Sequence, residues 1–112
     1  MTTLDPKAHC VTLINTFTVA PSRADELLEL LQTATIDRMR HLPGFISANL
    51  HVSLDRGSVA NYAQWRSRED FEAMQHDAEA QIHMREAASI AESFEPVLYD
   101  LRYVDASSAK GL

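Results

Sequence analysis

"VANYAQWRSREDF", residues 59–71, decides how the rest of the chain is read. Its first half alternates: a strand sends successive side chains to opposite faces, so Val59, Asn61, Ala63 and Trp65 line one side and Ala60, Tyr62 and Gln64 the other. Its second half carries a helix start, Ser67 followed three residues later by Asp70. A strand that feeds a helix, with an amide and an indole on the strand's apolar face, predicts a mixed fold with a polar feature inside it.

Upstream, "HCVTLINTFTV" is rich in β-branched residues and predicts a strand with Val11, Leu13, Asn15, Phe17 and Val19 on one face. Ser22 with Asp25 resembles a capping box. Ala24, Leu27, Leu28, Leu31, Ala34 and Thr35 then recur at helical spacing, which predicts a helix to about Leu42, where Pro43 and Gly44 stop it. "FISANLHVSL" is the second strand and the opening stretch the third. A short helix follows. A longer one, from about 77 to 93, carries Ala80, Met84, Ala87 and Ala91 on its apolar face, and "VLYDLRYV" closes the domain as a strand. The order β-α-β-β-α-β, its second α broken, predicts an α+β fold: a ferredoxin-like antiparallel sheet with helices on one face. One domain over 1–112 is expected, with its core at about 9–104 and with "MTTLDPKA" and "DASSAKGL" as tails.

The hairpin between strands two and three sets which residues share a face. A two-residue turn at Arg56 and Gly57 would pair Asp55 with Ser58 and put His51 on the opposite face from Asn61. A three-residue loop of Asp55, Arg56 and Gly57, with Gly57 left-handed, pairs Leu54 with Ser58. It sets His51 across from Asn61, Asn49 across from Ala63 and Ser47 across from Trp65. The tolerance of glycine for that conformation favours the second. Ile46, Ala48, Leu50, Val52 and Leu54 then form an aliphatic row on the face away from the helices. A partner subunit's sheet is its simplest cover, so a homodimer is expected.

Charge and composition narrow the function. The 112 residues are 46% hydrophobic and 23% charged with a net charge of -6, and no basic run interleaves with aromatics, so nucleic acid and anionic membrane are not expected partners. The lone Cys10, the lack of a charged-then-apolar leader and the lack of a long apolar run predict a cytoplasmic protein. Glu72 with His76, and Glu79 with His83, have the i,i+4 spacing of surface helices, and no two histidines share a helical face as a metal would need. With no Gly-rich phosphate loop either, no metal, nucleotide or flavin cofactor is expected.

The stretch "NYAQWRSREDF", with "LPGFISANLH" before it and "HMREA" after it, resembles the antibiotic biosynthesis monooxygenase family of dimeric α+β barrels. Within that family it is most similar to the cofactor-independent, quinone-forming anthrone oxygenases of aromatic polyketide pathways, over about residues 11–104. The resemblance implies a homodimer acting on a small aromatic polyketide with O2 and no cofactor. It also implies a cavity lined by His51, Asn61, Trp65 and Arg85, in which Asn61 and Trp65 hold the substrate's carbonyl and phenolic oxygens. His51 would be the base, since its ordinary pKa suits proton abstraction near neutral pH. Asn15, Asn49, Phe71 and Met74 would add to the lining, and Phe71 stands where this subgroup has a tyrosine. On residue type alone, Trp65 reads as core, His51 with Asn61 as a cross-strand pair, and Arg85 as the exposed edge of a helix. Yet Arg85 has no carboxylate three or four positions away, where Gln81, Ile82, Ala88 and Ser89 stand. Two other functions fit the same family: haem binding and degradation, for which Asn15 and His83 speak and Met74, in place of a tryptophan, does not; and a non-catalytic, cyclase-like dimer that binds an aromatic metabolite.

Overall fold

Antiparallel pairing around a central first strand organises the chain, in a computed structural model that describes residues 2–107. The elements are β1 (Val11–Thr18), α1 (Ala24–Asp37), β2 (Phe45–Val52), β3 (Ser58–Trp65), α2 (Arg68–Gln75), α3 (Ala78–Ile90) and β4 (Ser93–Tyr99), with 3-10 turns at Pro21–Arg23 and Met39–His41. The sheet order is β2-β3-β1-β4 and every neighbouring pair is antiparallel. This is the expected ferredoxin-like sheet, with its helices packed on one face. Among the described residues, no helix is long and apolar enough to cross a membrane.

Local chemistry explains most boundaries. At the start of α2 the Ser67 hydroxyl accepts from Asp70 N–H at 3.1 Å, as the sequence predicts. Asp77 caps α3 by accepting from Ala80 N–H at 3.0 Å. Ser22 does not cap α1. Pro21 opens a 3-10 turn there instead, and the cap position falls on Arg23, whose side chain pairs with Glu26 at 2.9 Å. The helix ends at Asp37 rather than near Leu42, and a 3-10 turn spans the difference. Gly44 sits at φ +84 beneath α2, where any Cβ would collide with the Asp70 side chain. The last strand begins at Ser93, not at 97, because β4 is an edge strand and an edge tolerates Pro96.

The hairpin corrects the expected register. Leu50 lies across from Asn61, His51 from Ala60 and Asn49 from Tyr62, with Ser53 closing the ladder through its N–H to the Ser58 carbonyl at 2.9 Å. The loop therefore has four residues, 54–57. Arg56, not Gly57, takes the left-handed conformation (φ 65), and its guanidinium pairs with Asp25 at the start of α1. Asp55 holds the turn by accepting from Gly57 N–H at 2.9 Å and from the Ser53 hydroxyl at 2.7 Å. One extra loop residue turns every β2 side chain over. Ala48, Leu50 and Val52 consequently face the helices and pack into the core, so the aliphatic row is not an uncovered face. A bulge between Phe45 and Ser47 then brings Phe45 beside Trp65 and leaves Ile46 exposed.

Two adjoining apolar clusters fill the space under the helices. Phe17, Leu27, Leu31, Val59 and Ala87 form one beneath α1 and α3; Leu13, Ala63, Trp65, Phe71, Met74 and Ala80 form the other beneath α2. The N-terminal residues do not behave as a free tail. Thr2 donates to Asn49 at 2.8 Å and the Gln64 amide donates to the Thr3 carbonyl at 2.7 Å, so this segment lies on the outer face of the sheet. Residues 108–112, the end of the other predicted tail, lie outside the described residues.

Candidate active site

A cavity of about 370 Å³ lies between the inner face of the sheet and the helices. β1 contributes Leu13, Asn15 and Phe17, and β3 contributes Asn61, Ala63 and Trp65, alternate residues as the pleat requires. Phe71 and Met74 come from α2, and His83, Met84 and Arg85 from α3. Leu31, Ala34, Met39, Phe45 and Ala48 close the far wall. The exposed lining residues, among them Gln75, Gln81, Arg85, Phe94 and Pro96, belong to α2, α3 and β4, so the cavity opens along that side.

Against this apolar lining stand several polar groups; Thr35 and Gln81 are bonded to backbone carbonyls, and four other residues present atoms without partners. Asn15 and Asn61 face each other across the β1–β3 ladder. Asn15 Oδ1, Asn61 Oδ1, Trp65 Nε1 and His83 Nδ1 are all buried with no hydrogen bond, and all four residues line the cavity. A buried polar atom left unpaired costs on the order of 1–3 kcal/mol, and folded chains seldom keep one without a reason. The Trp65 ring is pinned by edge contacts to Phe45 (5.6 Å, 90°) and Phe71 (6.3 Å, 71°), which fixes the direction of its N–H. Arg38, Arg66 and Arg68 are each tied to carboxylates. Arg85 enters no ion pair among the described residues and stands at the cavity mouth.

The structure thus brings together six of the eight residues singled out in the sequence: Asn15, Asn61, Trp65, Phe71, Met74 and Arg85. It does not bring in His51 or Asn49. Both lie on the outer face because of the four-residue loop; His51 is exposed, and the Asn49 amide donates to the Tyr62 carbonyl at 3.0 Å. The histidine in the cavity is His83. Its spacing from Glu79 reads as a surface pair, but its position three residues after Ala80 and four before Ala87 places it beside the apolar stripe of α3, a signal the sequence does carry. Among the described residues, no group of three or more His, Cys, Asp or Glu is placed to hold a metal ion.

The antibiotic biosynthesis monooxygenase model matches residues 10–86, more than half of the chain. The chain belongs to the antibiotic biosynthesis monooxygenase family. This family member is 45% identical over 91 residues to the tetracenomycin-F1 monooxygenase of Streptomyces glaucescens, covering 81% of each chain. Its fold matches the monooxygenase from the ActVA-Orf6 gene of Streptomyces coelicolor, solved in complex with nanaomycin D, with a TM-score of 0.78 and 29% identity over 92% of this chain and 96% of that one. SnoaB, a cofactor-independent oxygenase from Streptomyces nogalater, matches with a TM-score of 0.69 and 21% identity over 86% and 96% of the two chains, a likeness of fold alone.

Proposed function

We propose that the protein is a cofactor-independent monooxygenase that oxidises a phenolic polycyclic aromatic polyketide of the anthrone type to a quinone with O2. The observation that carries this reading is the set of unpartnered polar atoms in a cavity otherwise suited to a flat aromatic. Asn15 and Asn61 offer acceptors for phenolic O–H groups, and Trp65 offers a fixed donor for a carbonyl oxygen. As the substrate ionises, charge grows on that oxygen, and a donor already aimed at it in a dry site favours the enolate. The enolate passes one electron to O2, and the resulting radical and superoxide combine through a new C–O bond. The O–O bond of that peroxide then breaks as the ring carbon loses its hydrogen, which leaves a C=O and releases the second oxygen as water. The substrate supplies all the electrons, so the protein need only bind, desolvate and stabilise charge. Arg85 at the mouth adds a positive charge that suits an anionic substrate.

The tetracenomycin-F1 monooxygenase relative supports this reading over haem degradation and over passive binding. A homodimer belongs to it as well. The outer face carries an apolar belt across three strands, Tyr62, Ile14 and Val97, which a second sheet would cover. The direct experiment adds 1,8-dihydroxy-9-anthrone to chelator-treated protein in air and follows quinone absorbance. Turnover with uptake of one O2 per quinone supports the proposal. No rate above the uncatalysed one, or a rate that appears only with added flavin, haem or metal, would overturn it.

A further inference from the structure

We propose that His83 is the base that takes the acidic ring C–H proton whose loss turns the substrate into its enolate, an inference that rests on the oxygenase reading above. Among the described residues, two that line the cavity carry or can carry charge, His83 and Arg85, and no Asp, Glu, Lys, Tyr or Cys does. An arginine keeps its proton under all ordinary conditions, so an imidazole is the one side chain in contact with this space that can accept one near neutral pH. His83 Nδ1 is buried and makes no hydrogen bond.

The groups around the ring leave it free for that role. Glu79 approaches Nε2 to 4.0 Å and Glu86 approaches Nδ1 to 3.7 Å, both beyond hydrogen-bond length, so neither carboxylate occupies the ring. From the end of α1, Arg38 stands 4.0 Å from Glu79 and so holds that carboxylate between two cations when His83 is charged. A neutral ring with its proton on Nε2, toward Glu79, leaves the Nδ1 lone pair free. In the step itself one C–H bond of the substrate's acidic ring CH2 breaks and an Nδ1–H bond forms; the C–H electron pair stays with the substrate as the enolate, beside an imidazolium, with no electron transferred. The charged ring then returns that proton to the departing peroxide oxygen, which takes up the second hydrogen the ring carbon loses and leaves as water.

The test compares wild type with His83→Gln, using 1,8-dihydroxy-9-anthrone first without O2 and then with it. Quenching of the single tryptophan reads binding, and the visible band of the ligand's anion reads ionisation. Wild type should bind the anion at pH 7 and show a kcat/KM that falls on the acid side through one ionisation. His83→Gln should bind the neutral ligand at pH 7, lose that acid limb, and show a kcat/KM lower by about 100-fold or more, recovering as pH passes the ligand's own ionisation. A His83→Gln protein that keeps both the anion band and the acid limb overturns the proposal. A wild-type protein that neither binds the anthrone nor oxidises it overturns the oxygenase reading itself, a different result. Should His83→Gln not fold, His83→Asn takes its place, a smaller amide that likewise cannot accept the proton, and the same loss of the anion band and of the acid limb is expected. A limb that stays in place counts against His83.

Discussion

Trp65 both packs and donates, and one substitution separates the two. Trp65→Phe keeps an aromatic ring against Phe45 and Phe71 but removes the N–H that lacks a partner in the chain. We expect stability close to wild type with kcat lowered on the order of 100-fold, the usual cost of one preorganised oxyanion donor. Asn61→Ala should lower kcat in the same way, since its amide faces the same space. Arg85→Gln should act differently. Its guanidinium meets the substrate at the mouth, before the chemistry, so KM should rise several-fold with kcat little changed; an equal fall in kcat would instead place Arg85 at the reacting oxygen. Steady-state kinetics on an anthrone, with circular dichroism to confirm the fold, check all three. The facing of the β1 and β3 residues was legible in the sequence because strand parity does not depend on distant contacts. Alternation puts Asn15, Asn61 and Trp65 on the inner face, but their place in a site, and that of Phe71, Met74 and Arg85, came from the family resemblance, since residue type alone reads Trp65 as core and Arg85 as an exposed edge. His51 and Asn49 were placed by a loop length instead, and that inference failed.

The hairpin shows why an element can be recognised and still be set wrongly. Gly57 is the residue that tolerates a left-handed backbone at least cost, yet Arg56 adopts it, held by a side-chain pair with Asp25 on another element. No local rule contains that contact. The strand was legible and its facing was not, which is also why the aliphatic row of β2 reads as surface from the sequence and packs as core. The same kind of distant contact fixes α3. Arg38, just past α1, grips the Asp77 cap through Nε at 2.9 Å and Nη2 at 2.6 Å, and Asp77 also accepts from Ala80 N–H. The guanidinium first, and that backbone donor second, hold the Asp77 carboxyl down to about 2. A carboxylate held below its unfolded value of about 3.9 stabilises the fold above that pH and ceases to do so as pH falls through the folded value. Asp77→Asn keeps a capping oxygen but loses the charge pair, so it should melt below wild type at pH 7, by up to roughly 4–8 °C. That gap should close between about pH 4 and pH 2. Melting curves across that range check the prediction, and a gap unchanged at pH 2 would assign the loss to packing.

At the scale of the whole molecule, one face of the sheet is filled by helices and the other is finished only in part. Thr2 and Thr3 reach across the β2–β3 side, and through them Gln64 and Asn49 find partners. The β4 edge is less covered among the described residues: Val97 and Tyr99 are 36% and 47% exposed, beside a half-buried Ile14, while Thr12 of β1 is buried. A monomer would leave this belt in water beside an unpaired edge strand, a combination that invites association. Two copies packed through this face would bury the belt and set the open side of each cavity near the joint, since Phe94 and Pro96 of the same strand line the cavity from its other face. We therefore expect dilute protein to scatter light as about twice its 12.5 kDa chain mass. Val97→Glu tests the face directly. In an isolated chain that side chain is solvated, so a carboxylate there should leave the fold intact, while in a sheet-to-sheet interface it would be a buried, unpaired charge. The variant should run as a folded monomer at micromolar concentration, with a melting temperature that no longer changes on dilution as that of a dimer does. If Val97→Glu remains a dimer with wild-type stability, the partner sits elsewhere; if wild type is itself a monomer at high concentration, the belt is covered by nothing and the dimer is wrong.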